Sequence, residues 1–372
     1  MYNIHVKLYI MATIQYGDPP TLPVNLEPAR YYRQLEAASY ALGKLQIAHG
    51  KLANSDHLIK PLLTREASVS SKIEGTVTDS KDVYVLDATG KPPQKDTPVV
   101  ANYREALKLA TQLNADGKLT DHSIRQLHTV LLKDTDHKGE LGRYRTIDAW
   151  IGNSENTPIE EAIYVTPYPT QVNARMENLL KYINEFDESP LVKVAVFHYM
   201  FEAIHPFEDG NGRIGRMLIP SLLNHMGLLT QPVLYTSQYF EKNKDLYREQ
   251  LRLVDTTRDL TTWVIFFLKS IVKQSEISVD LVDKMLALNL QLNNKYMNDQ
   301  SPNVRRLIDY IFENPVFVVS EIVSTLGITR HTAQSLIDKL ITDNEIDKLP
   351  NVRGRKGATV YFYMPLLNLI IV

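Results

Sequence analysis

The chain has 372 residues, a formal net charge of -2 and no cysteine, and 44% of its residues are apolar while 23% are charged. This length predicts two or three domains, and the composition is that of a globular protein with a substantial core. The balanced charge excludes a general attraction to nucleic acid or to an anionic membrane, and the lack of cysteine excludes disulfides and thiol catalysis and fits a reducing cytoplasm.

The N-terminal part is predicted to be helical after a proline-rich start. Residues 1–11 lack the shape of a secretion signal, and no apolar run has the ~18–20 residues that a membrane-spanning helix needs. Residues 16–28 are predicted to be extended. Helical patterns follow over 27–52 and 56–73, and the second ends at Glu74-Gly75, where glycine is a common helix stop.

The middle of the chain predicts helices around a β-hairpin. Residues 80–97 are polar and rich in Pro and Gly, which predicts a loop or a short hairpin. Two β-prone segments, 149–152 and 162–165, follow the sequence Gly142-Arg143-Tyr144-Arg145 and predict a hairpin with its loop at 153–161. Three segments are predicted to be helical: 98–113, 121–132 and 171–186.

Twelve residues, 205–216, connect two further predicted helices, 191–204 and 213–226, and include the first turn of the second helix. The first helix is apolar on nearly every face, which predicts a buried helix. The twelve residues 205–216 read His-Pro-Phe-Glu-Asp-Gly-Asn-Gly-Arg-Ile-Gly-Arg and are too polar for a core. Glycine lets a backbone approach a ligand closely, and the free N–H groups that begin a helix attract anions. Arg213 and Arg216 share one face of the second helix and suit phosphate oxygens.

Each feature of these twelve residues has a simpler explanation. The histidine could cap a helix, Gly-Asn-Gly could form a turn, and the arginine pair could face solvent. Their combination favours an anion-binding loop with a general base and a carboxylate for a divalent cation. A P-loop is excluded because the turn closes with Gly-Arg-Ile, and the histidine spacing and the lack of cysteine make zinc a poor candidate.

The twelve residues resemble the signature of the Fic (filamentation induced by cAMP) proteins, H-P-F-x-[D/E]-G-N-G-R-x-x-R, at every fixed position. The resemblance implies a mainly α fold, in which a Fic-type helical bundle carries a small β-hairpin flap. It also implies a reaction that moves AMP from ATP to a Tyr, Ser or Thr hydroxyl of a target protein.

The resemblance also implies a role for each residue of the loop. His205 would be the base that takes the proton from the target hydroxyl, which suits an imidazole with an ordinary pKa of about 6.5. Asp209 would hold Mg²⁺ against the α- and β-phosphates. The other residues implied to bind phosphates are Gly210, Asn211, Gly212, Arg213 and Arg216.

An inhibitory helix is implied by a second, shorter resemblance. Ser70, Glu74 and Gly75 match Ser/Thr-x-x-x-Glu-Gly/Asn, which is similar to the inhibitory motif of Fic proteins that carry their inhibitor in the same chain. There the glutamate pairs with the second signature arginine, here Arg216, and ATP then binds with a misaligned α-phosphate. The alternative is an amphipathic helix whose last carboxylate faces water.

The predicted hairpin occupies the position of the Fic flap, which clamps a target segment by backbone pairing. Ile151, Gly152 and Val165 are therefore expected to bind the target, although a surface β-turn explains the pattern equally well. A helix is predicted over 241–254, where related proteins place residues that line adenine and ribose. Tyr247 and Arg248 are the candidates, but Arg248 stands where an aromatic residue is often found, and Tyr247 could simply pack in the core.

A long amphipathic helix, 259–297, is predicted to close this domain, and the residues from 303 onward resemble a winged helix. Three segments predict its helices: 304–313, 320–326 and 329–341. Two β-prone segments, 346–349 and 359–363, flank the basic turn 353–356. Such modules often bind DNA, but the charge here is nearly balanced, so docking or oligomerisation is favoured over DNA contact.

The sequence therefore predicts an N-terminal helical region over 1–97, a Fic catalytic domain over 98–297 and a winged helix over 303–372. The favoured function is a protein adenylyltransferase that uses ATP and Mg²⁺ and is restrained by Glu74. The alternatives are a nucleotide-sensing transcriptional regulator that binds DNA, a Fic enzyme with another donor, and an enzyme that removes AMP. A monomer and a homodimer both stay open as the resting form.

Overall fold

The computed structural model describes residues 15–51, 56–113, 118–137, 139–152, 157–230 and 234–371, with no side-chain description at 56 and 113. The opening residues 1–11 and the tip of the predicted hairpin at 153–156 therefore lie outside the described residues. Within the described part the fold is mainly helical, as predicted, and no helix there is long and apolar enough to cross a membrane.

The described elements alternate long helices with few and short strands. The helices are α1 (Pro28–Gly50), α2 (Ile59–Ile73), α3 (Ser80–Thr89), α4 (Thr97–Leu113), α5 (Asp121–Leu132), α6 (Val172–Glu185), α7 (Pro190–Ile204), α8 (Asn211–His225), α9 (Ser237–Lys242), α10 (Lys244–Thr257), α11 (Leu260–Lys295), α12 (Pro302–Glu313), α13 (Val319–Leu326), α14 (Arg330–Thr342) and α15 (Met364–Ile370). The strands are β1 (Trp150–Ile151), β2 (Tyr164–Val165), β3 (Val316–Val318), β4 (Asp347–Arg353) and β5 (Thr359–Phe362). Short 3₁₀ turns are Asp56–Leu58, Ile159–Glu161, Pro169–Gln171 and Arg355–Gly357.

The prediction of a loop or hairpin over 80–97 is wrong, because α3 occupies its first half. The Asp79 carboxylate accepts the backbone N–H of Asp82 at 3.0 Å, and the Asp82 side chain accepts that of Asp79, which forms a capping box. Gly90 ends the helix with a left-handed φ of 70°. Local caps at both ends therefore outweigh the polar composition of the segment.

Two other predicted boundaries are shifted. The helix predicted over 241–254 is interrupted at Asn243, whose φ of -120° and ψ of 37° separate α9 from α10. The helix predicted from 213 begins two residues earlier, at Asn211, so the second glycine of the loop lies inside α8. The helix predicted over 191–204 is confirmed, and every residue from Leu191 to Ile204 is buried, as its apolar pattern indicates.

The chain divides into two compact units. The first consists of Met1–Tyr40, Lys108–Pro232 and Lys242–Val272, and the second of Ala41–Leu107, Val233–Glu241 and Lys273–Val372. Both units combine segments that are distant in sequence, and the domain boundaries predicted from the sequence stay predictions.

The first unit is built around the buried helix α7, which packs against α6 and α8. The predicted hairpin is confirmed: β1 and β2 pair antiparallel, with Trp150 opposite Val165 and Ile151 opposite Tyr164. The N-terminal segment adds to this hairpin on its other side. Tyr16 forms a parallel bridge with Val165, and the Gly17 N–H donates to the Val165 carbonyl at 2.6 Å.

The second unit packs the C-terminal residues around α2 and α3. Helix α2 contacts α3, α12 and α15, and β3 lies against α3. The Ser80 hydroxyl, at the start of α3, donates to the Ile370 carbonyl at 3.0 Å. Strands β3, β5 and β4 form an antiparallel sheet in that order, with β3 between α12 and α13 and the other two strands after α14. The winged-helix assignment stays a prediction.

Candidate functional site

The first six residues of the motif, 205–210, form a tight turn between α7 and α8, and the other six are the first residues of α8. His205 ends α7 with φ 51° and ψ 62°, a left-handed conformation that is uncommon outside glycine. Gly210 begins α8 with φ 82°. The two helices approach closely here, because a Cβ on Gly215 would lie 2.3 Å from Glu202 Oε1. A larger residue at Gly215 would therefore displace the Glu202 side chain of the neighbouring helix.

The geometry of His205 fixes which ring nitrogen can accept a proton. Its Nδ1 lies 3.3 Å from the carbonyl oxygen of Glu202, one turn earlier in the same helix. A carbonyl oxygen only accepts hydrogen bonds, so Nδ1 carries the proton and Nε2 is left with its lone pair. The His205 residue is half-buried.

Asn211 stabilises the turn through its side chain. Its Oδ1 accepts the backbone N–H of Phe207 at 2.8 Å, and its Nδ2 donates to the carbonyl of the same residue at 2.8 Å. Phe207 is fully buried and stacks on His128 with 4.0 Å between ring centroids. The Asn211 side chain therefore braces the loop, and the predicted contact of Asn211 with a phosphate stays a prediction.

The Asp209 carboxylate is held at the start of α8 and is about half exposed, at 52%. Its Oδ1 accepts the Gly210 N–H at 2.5 Å and an Arg213 N–H at 2.9 Å, and Oδ2 lies 4.0 Å from His137 Nδ1. Partial burial would raise the pKa of Asp209, but Arg213, the Gly210 N–H and His137 outweigh it and lower that pKa below its usual range. Asp209 is thus a carboxylate at neutral pH.

The two arginines of the motif are buried, unlike the solvent-facing pair that the simpler explanation requires. Arg213 is 6% exposed and Arg216 is 2% exposed. The Arg213 Nε is buried and has no hydrogen-bond partner among the described residues. Burial lowers the pKa of His198 to about 3, and the positive charge of Arg216 contributes to this shift. A buried guanidinium with a free N–H is the type of group that binds an anionic ligand.

The flap and α10 enclose a second part of the site. Ile151 and Gly152 line a cavity together with Tyr164, Glu202 and Arg248. Of the predicted flap residues, Val165 lies outside this cavity, buried in β2. Tyr247 is also buried, and its hydroxyl lies 2.9 Å from His198 Nε2, so its ring packs in the core. Arg248 thus faces the flap, whereas the neighbouring Tyr247 side chain packs in the core.

The predicted inhibitory residues lie in the second unit. Ser70 is fully buried in α2, and Glu74 follows that helix as an exposed residue whose φ is -85° and ψ is 1°. Gly75 comes next with a left-handed φ of 98°. The helix and its glycine stop are therefore confirmed as local structure, and the predicted ion pair with Arg216 stays a prediction.

Three residues in the site have roles that the sequence reasoning did not identify. His128 accepts the Gly142 N–H at Nδ1, at 2.9 Å, and its Nε2 lies 3.2 Å from the Asp209 carbonyl. Asp255 accepts the Tyr199 hydroxyl at 2.8 Å, and burial raises the pKa of Asp255 to about 6. Arg145 binds the carbonyl of His205 at 2.8 Å. Arg145 lies in the sequence Gly142-Arg143-Tyr144-Arg145 before the predicted hairpin, and His128 lies in a predicted helix, but no local pattern indicates the contacts of His128 or Asp255.

Comparison with known proteins gives matches to one family. Residues 118–223 match the model described as "Fic/DOC family", and residues 32–112 match "Fic/DOC family N-terminal". The chain is 30% identical to "Protein adenylyltransferase Fic" of Aedes aegypti over 37% of its own length and 25% of that protein. It is 28% identical to the protein of that name in Nematostella vectensis, over 42% of its own length and 36% of that protein. The chain thus spans well under half the length of these curated relatives.

The fold also matches a solved structure. The crystal structure of a Fic family protein from Desulfovibrio desulfuricans G20 superposes with a TM-score of 0.59 and 22% identity, over 93% of this chain and 98% of that chain. This likeness extends beyond the segments that the family models cover, and it confirms the mainly helical fold with its small strand pair.

Proposed function

Because the chain belongs to the Fic/DOC family, we propose that it is a protein adenylyltransferase, which transfers AMP from ATP to a Tyr, Ser or Thr hydroxyl of a target protein or of itself. The observation that carries the proposal is the orientation of His205. With Nδ1 bound to the Glu202 carbonyl at 3.3 Å, Nε2 can accept a proton directly beside the turn that begins α8. The names of the relatives in Aedes aegypti and Nematostella vectensis support the same activity.

The start of α8 is the proposed phosphate site. The backbone N–H groups of Gly210, Asn211 and Gly212 lie at the N-terminus of this helix, where the free N–H groups and the helix dipole favour an anion. The Arg213 Nε, buried without a partner among the described residues, would bind a phosphate oxygen. Arg216 would hold the β and γ end.

Asp209 fits the single carboxylate that a magnesium ion needs beside phosphates and waters. Its pKa is held below the usual range, so it is ionised, and it is 52% exposed. The described residues contain no cluster of three or more metal-ligating side chains, so the phosphates and waters would supply the other ligands. When bound, Mg²⁺ would stabilise negative charge on the phosphate oxygens.

The proposed chemistry is one displacement at phosphorus. The acceptor hydroxyl gives its proton to His205 Nε2 while its oxygen bonds to the α-phosphorus. The bond to the bridging oxygen of the β-phosphate breaks, and pyrophosphate leaves with the electron pair. Arg213 and the helix N–H groups stabilise charge that develops on the phosphate oxygens. No second base is required, because His205 can return its proton to pyrophosphate.

The cavity between the flap and α10 is the proposed site for the base of ATP and the adjoining target segment. Arg248 lines it with Ile151 and Gly152, so the guanidinium can stack on or bind to an adenine. Tyr247 supports this wall from the core through His198, at 2.9 Å. We also propose that Glu74 restrains the reaction by pairing with Arg216, with Ser70 fixing the end of the inhibitory helix.

Labelling with α-labelled ATP and Mg²⁺ tests these roles. The unaltered chain should label itself or a partner, and mass spectrometry should find a 5′-AMP adduct. His205→Ala should abolish labelling, and Glu74→Gly should increase it. Glu74→Gln separates loss of the charge from loss of the side chain, and Lys72→Gly is the control for introducing glycine into the same helical turn. Full labelling by His205→Ala would refute the base assignment, and equal labelling by Glu74→Gly and the unaltered chain would refute the restraint.

A DNA-binding regulator is the second candidate, supported by the element order of residues 302–371. Within this range the order is helix, strand, helix, helix, strand, strand, and the helix α15 follows the last strand. However, the Arg355 side chain lies against Gly90, where an added Cβ would be 3.0 Å from its guanidinium, so one charge of the basic turn is already in contact with protein. A salt-dependent shift of a specific DNA fragment, lost in Arg353→Ala, would support this function.

A further inference from the structure

One buried arginine binds both the loop of His205 and the two ends of the flap. Arg145 is 2% exposed. Its Nε donates to the His205 carbonyl at 2.8 Å, and one Nη2 hydrogen reaches the Ile204 carbonyl at 3.3 Å. Its Nη1 donates to the Ile147 carbonyl at 3.0 Å and Nη2 to the Pro167 carbonyl at 2.6 Å. A single guanidinium therefore binds four backbone carbonyls from three segments.

The position of these carbonyls connects the base to the flap. Ile147 precedes β1 and Pro167 follows β2, so the guanidinium holds the chain on both sides of the hairpin. The backbone N–H of Arg145 adds a bond to the Pro206 carbonyl at 2.8 Å. A guanidinium is planar and its donors have a fixed geometry, so carbonyls bound to one guanidinium are fixed relative to each other. Tyr164 gives a second connection, because its hydroxyl donates to the Ala203 carbonyl at 2.9 Å.

We propose that Arg145 is a positioning residue of the transfer reaction, which holds the general base and the flap that receives the acceptor in one geometry. The proposal rests on the proposed function, because it assigns the purpose of the connection to that reaction. The base must lie within hydrogen-bond reach of the hydroxyl. A displacement of about 1 Å in such a geometry can lower the rate about 100-fold. Arg145 acts through His205 and the flap, and ATP binding should depend on it little.

Two substitutions of Arg145 and one control separate positioning from a general loss of structure. Arg145→Lys keeps the positive charge and loses the fork of donors, and Arg145→Gln removes the charge. The control is Arg175→Lys, in the same unit. Arg175 also binds in several directions, to Gln171 Oε1 at 3.1 Å, the Pro19 carbonyl at 2.8 Å and the Asp18 carboxylate at 2.6 Å, and none of these is a carbonyl that Arg145 binds. Melting temperatures identify which variants are folded at the assay temperature.

Hydrogen exchange measures the connection without any nucleotide. The Thr166 N–H, bound to the Ala149 carbonyl at 3.0 Å, reports on the flap. The Phe207 N–H, bound to Asn211 Oδ1 at 2.8 Å, reports on the loop. Both amides should exchange at least about 10-fold faster in the Arg145 variants. In the control the Phe207 amide should keep its unaltered rate, because Arg175 binds the residues next to Gly17, which pairs with the flap and not with the loop. In the labelling assay kcat should fall about 100-fold, while KM for ATP changes less than about 3-fold.

Each other outcome overturns the proposal. Faster exchange in only one of the two segments would show that Arg145 does not connect them. A KM for ATP that rises as much as kcat falls, or an equal loss in Arg175→Lys, would show a general effect on folding. Failure of both Arg145 variants to fold would show a purely structural anchor. If the unaltered and Glu74→Gly chains transfer no AMP, the proposed function fails, and the exchange rates alone decide whether Arg145 connects the two segments.

Discussion

Mild acid should destabilise the protein through His128, which is 1% exposed beneath the turn of the candidate site. Its Nδ1 accepts the Gly142 N–H, so Nε2 must carry the only ring proton and donate it to the Asp209 carbonyl. Burial is the main cause that lowers the pKa of His128 from 6.5 to about 4. A second proton would break the bond to Gly142, so the folded state resists protonation.

The magnitude and the sign follow from these two pKa values. Above pH 6.5 the imidazole is neutral in both states, and its contribution to the free energy of unfolding is complete. As the pH falls from 6.5 toward 4, the unfolded chain binds a proton that the folded chain does not, so this stability is progressively lost. Between pH 7.5 and pH 5 the loss should be about 2 kcal/mol for this residue.

Urea unfolding at both pH values measures the loss, followed by a probe in the first unit. In His128→Gln the difference between pH 7.5 and pH 5 should shrink by about 2 kcal/mol relative to the unaltered chain. His122→Gln is the matched control, because His122 is an exposed histidine of the same helix α5 and should leave the pH dependence as it is. An identical pH dependence in His128→Gln and the unaltered chain would refute the reasoning.

Three other substitutions test contacts of the same unit. Asn211→Ala leaves the N–H and carbonyl of buried Phe207 without partners, so thermal unfolding should show a loss of about 2–5 kcal/mol, and no loss would contradict the bracing role. Gly17→Ala places a Cβ 2.3 Å from the Tyr164 hydroxyl, so proteolysis near residue 17 should accelerate, with a cost of about 1–3 kcal/mol. Asp209→Asn should raise the Mg²⁺ concentration needed for labelling at least about 10-fold, and an unchanged requirement would exclude Asp209 as the ligand.

The parts of the fold that the sequence predicts are those governed by local patterns. Helix α7 follows from an uninterrupted apolar run, and α5 follows from its periodic apolar residues and the Thr120 cap. The hairpin follows from two β-prone segments with the right spacing. Helix α3 was predictable in principle, since Asp79, Asp82 and Gly90 supply both of its caps, but the polar composition favoured a loop.

In the candidate site, too, the features that can be predicted from the sequence are the local ones. The loop residues adjoin in sequence, so an anion-binding loop with a general base and a carboxylate can be predicted from them, while the role of each residue is implied by the family resemblance. The bonds of Arg145 to His205 and of His128 to Asp209 join residues 60 and 81 positions apart. Such contacts arise when helices pack, and the sequence gives no local sign of them. The bonds of the Asn211 side chain are local, since both join it to Phe207, four residues earlier. The sequence still does not predict them, because the same side-chain amide is equally suited to bind a ligand.

The packing of the C-terminal residues against α2 and α3 has a consequence for shortened forms of the protein. Ile370 accepts a hydrogen bond from Ser80, and α15 and β3 lie against the helices on either side of Glu74 and Gly75. A premature stop codon before α12 would therefore remove part of the core beneath that turn. Such a shortened chain is expected to hold residue 74 less firmly, even though every residue of the 205–216 motif is intact.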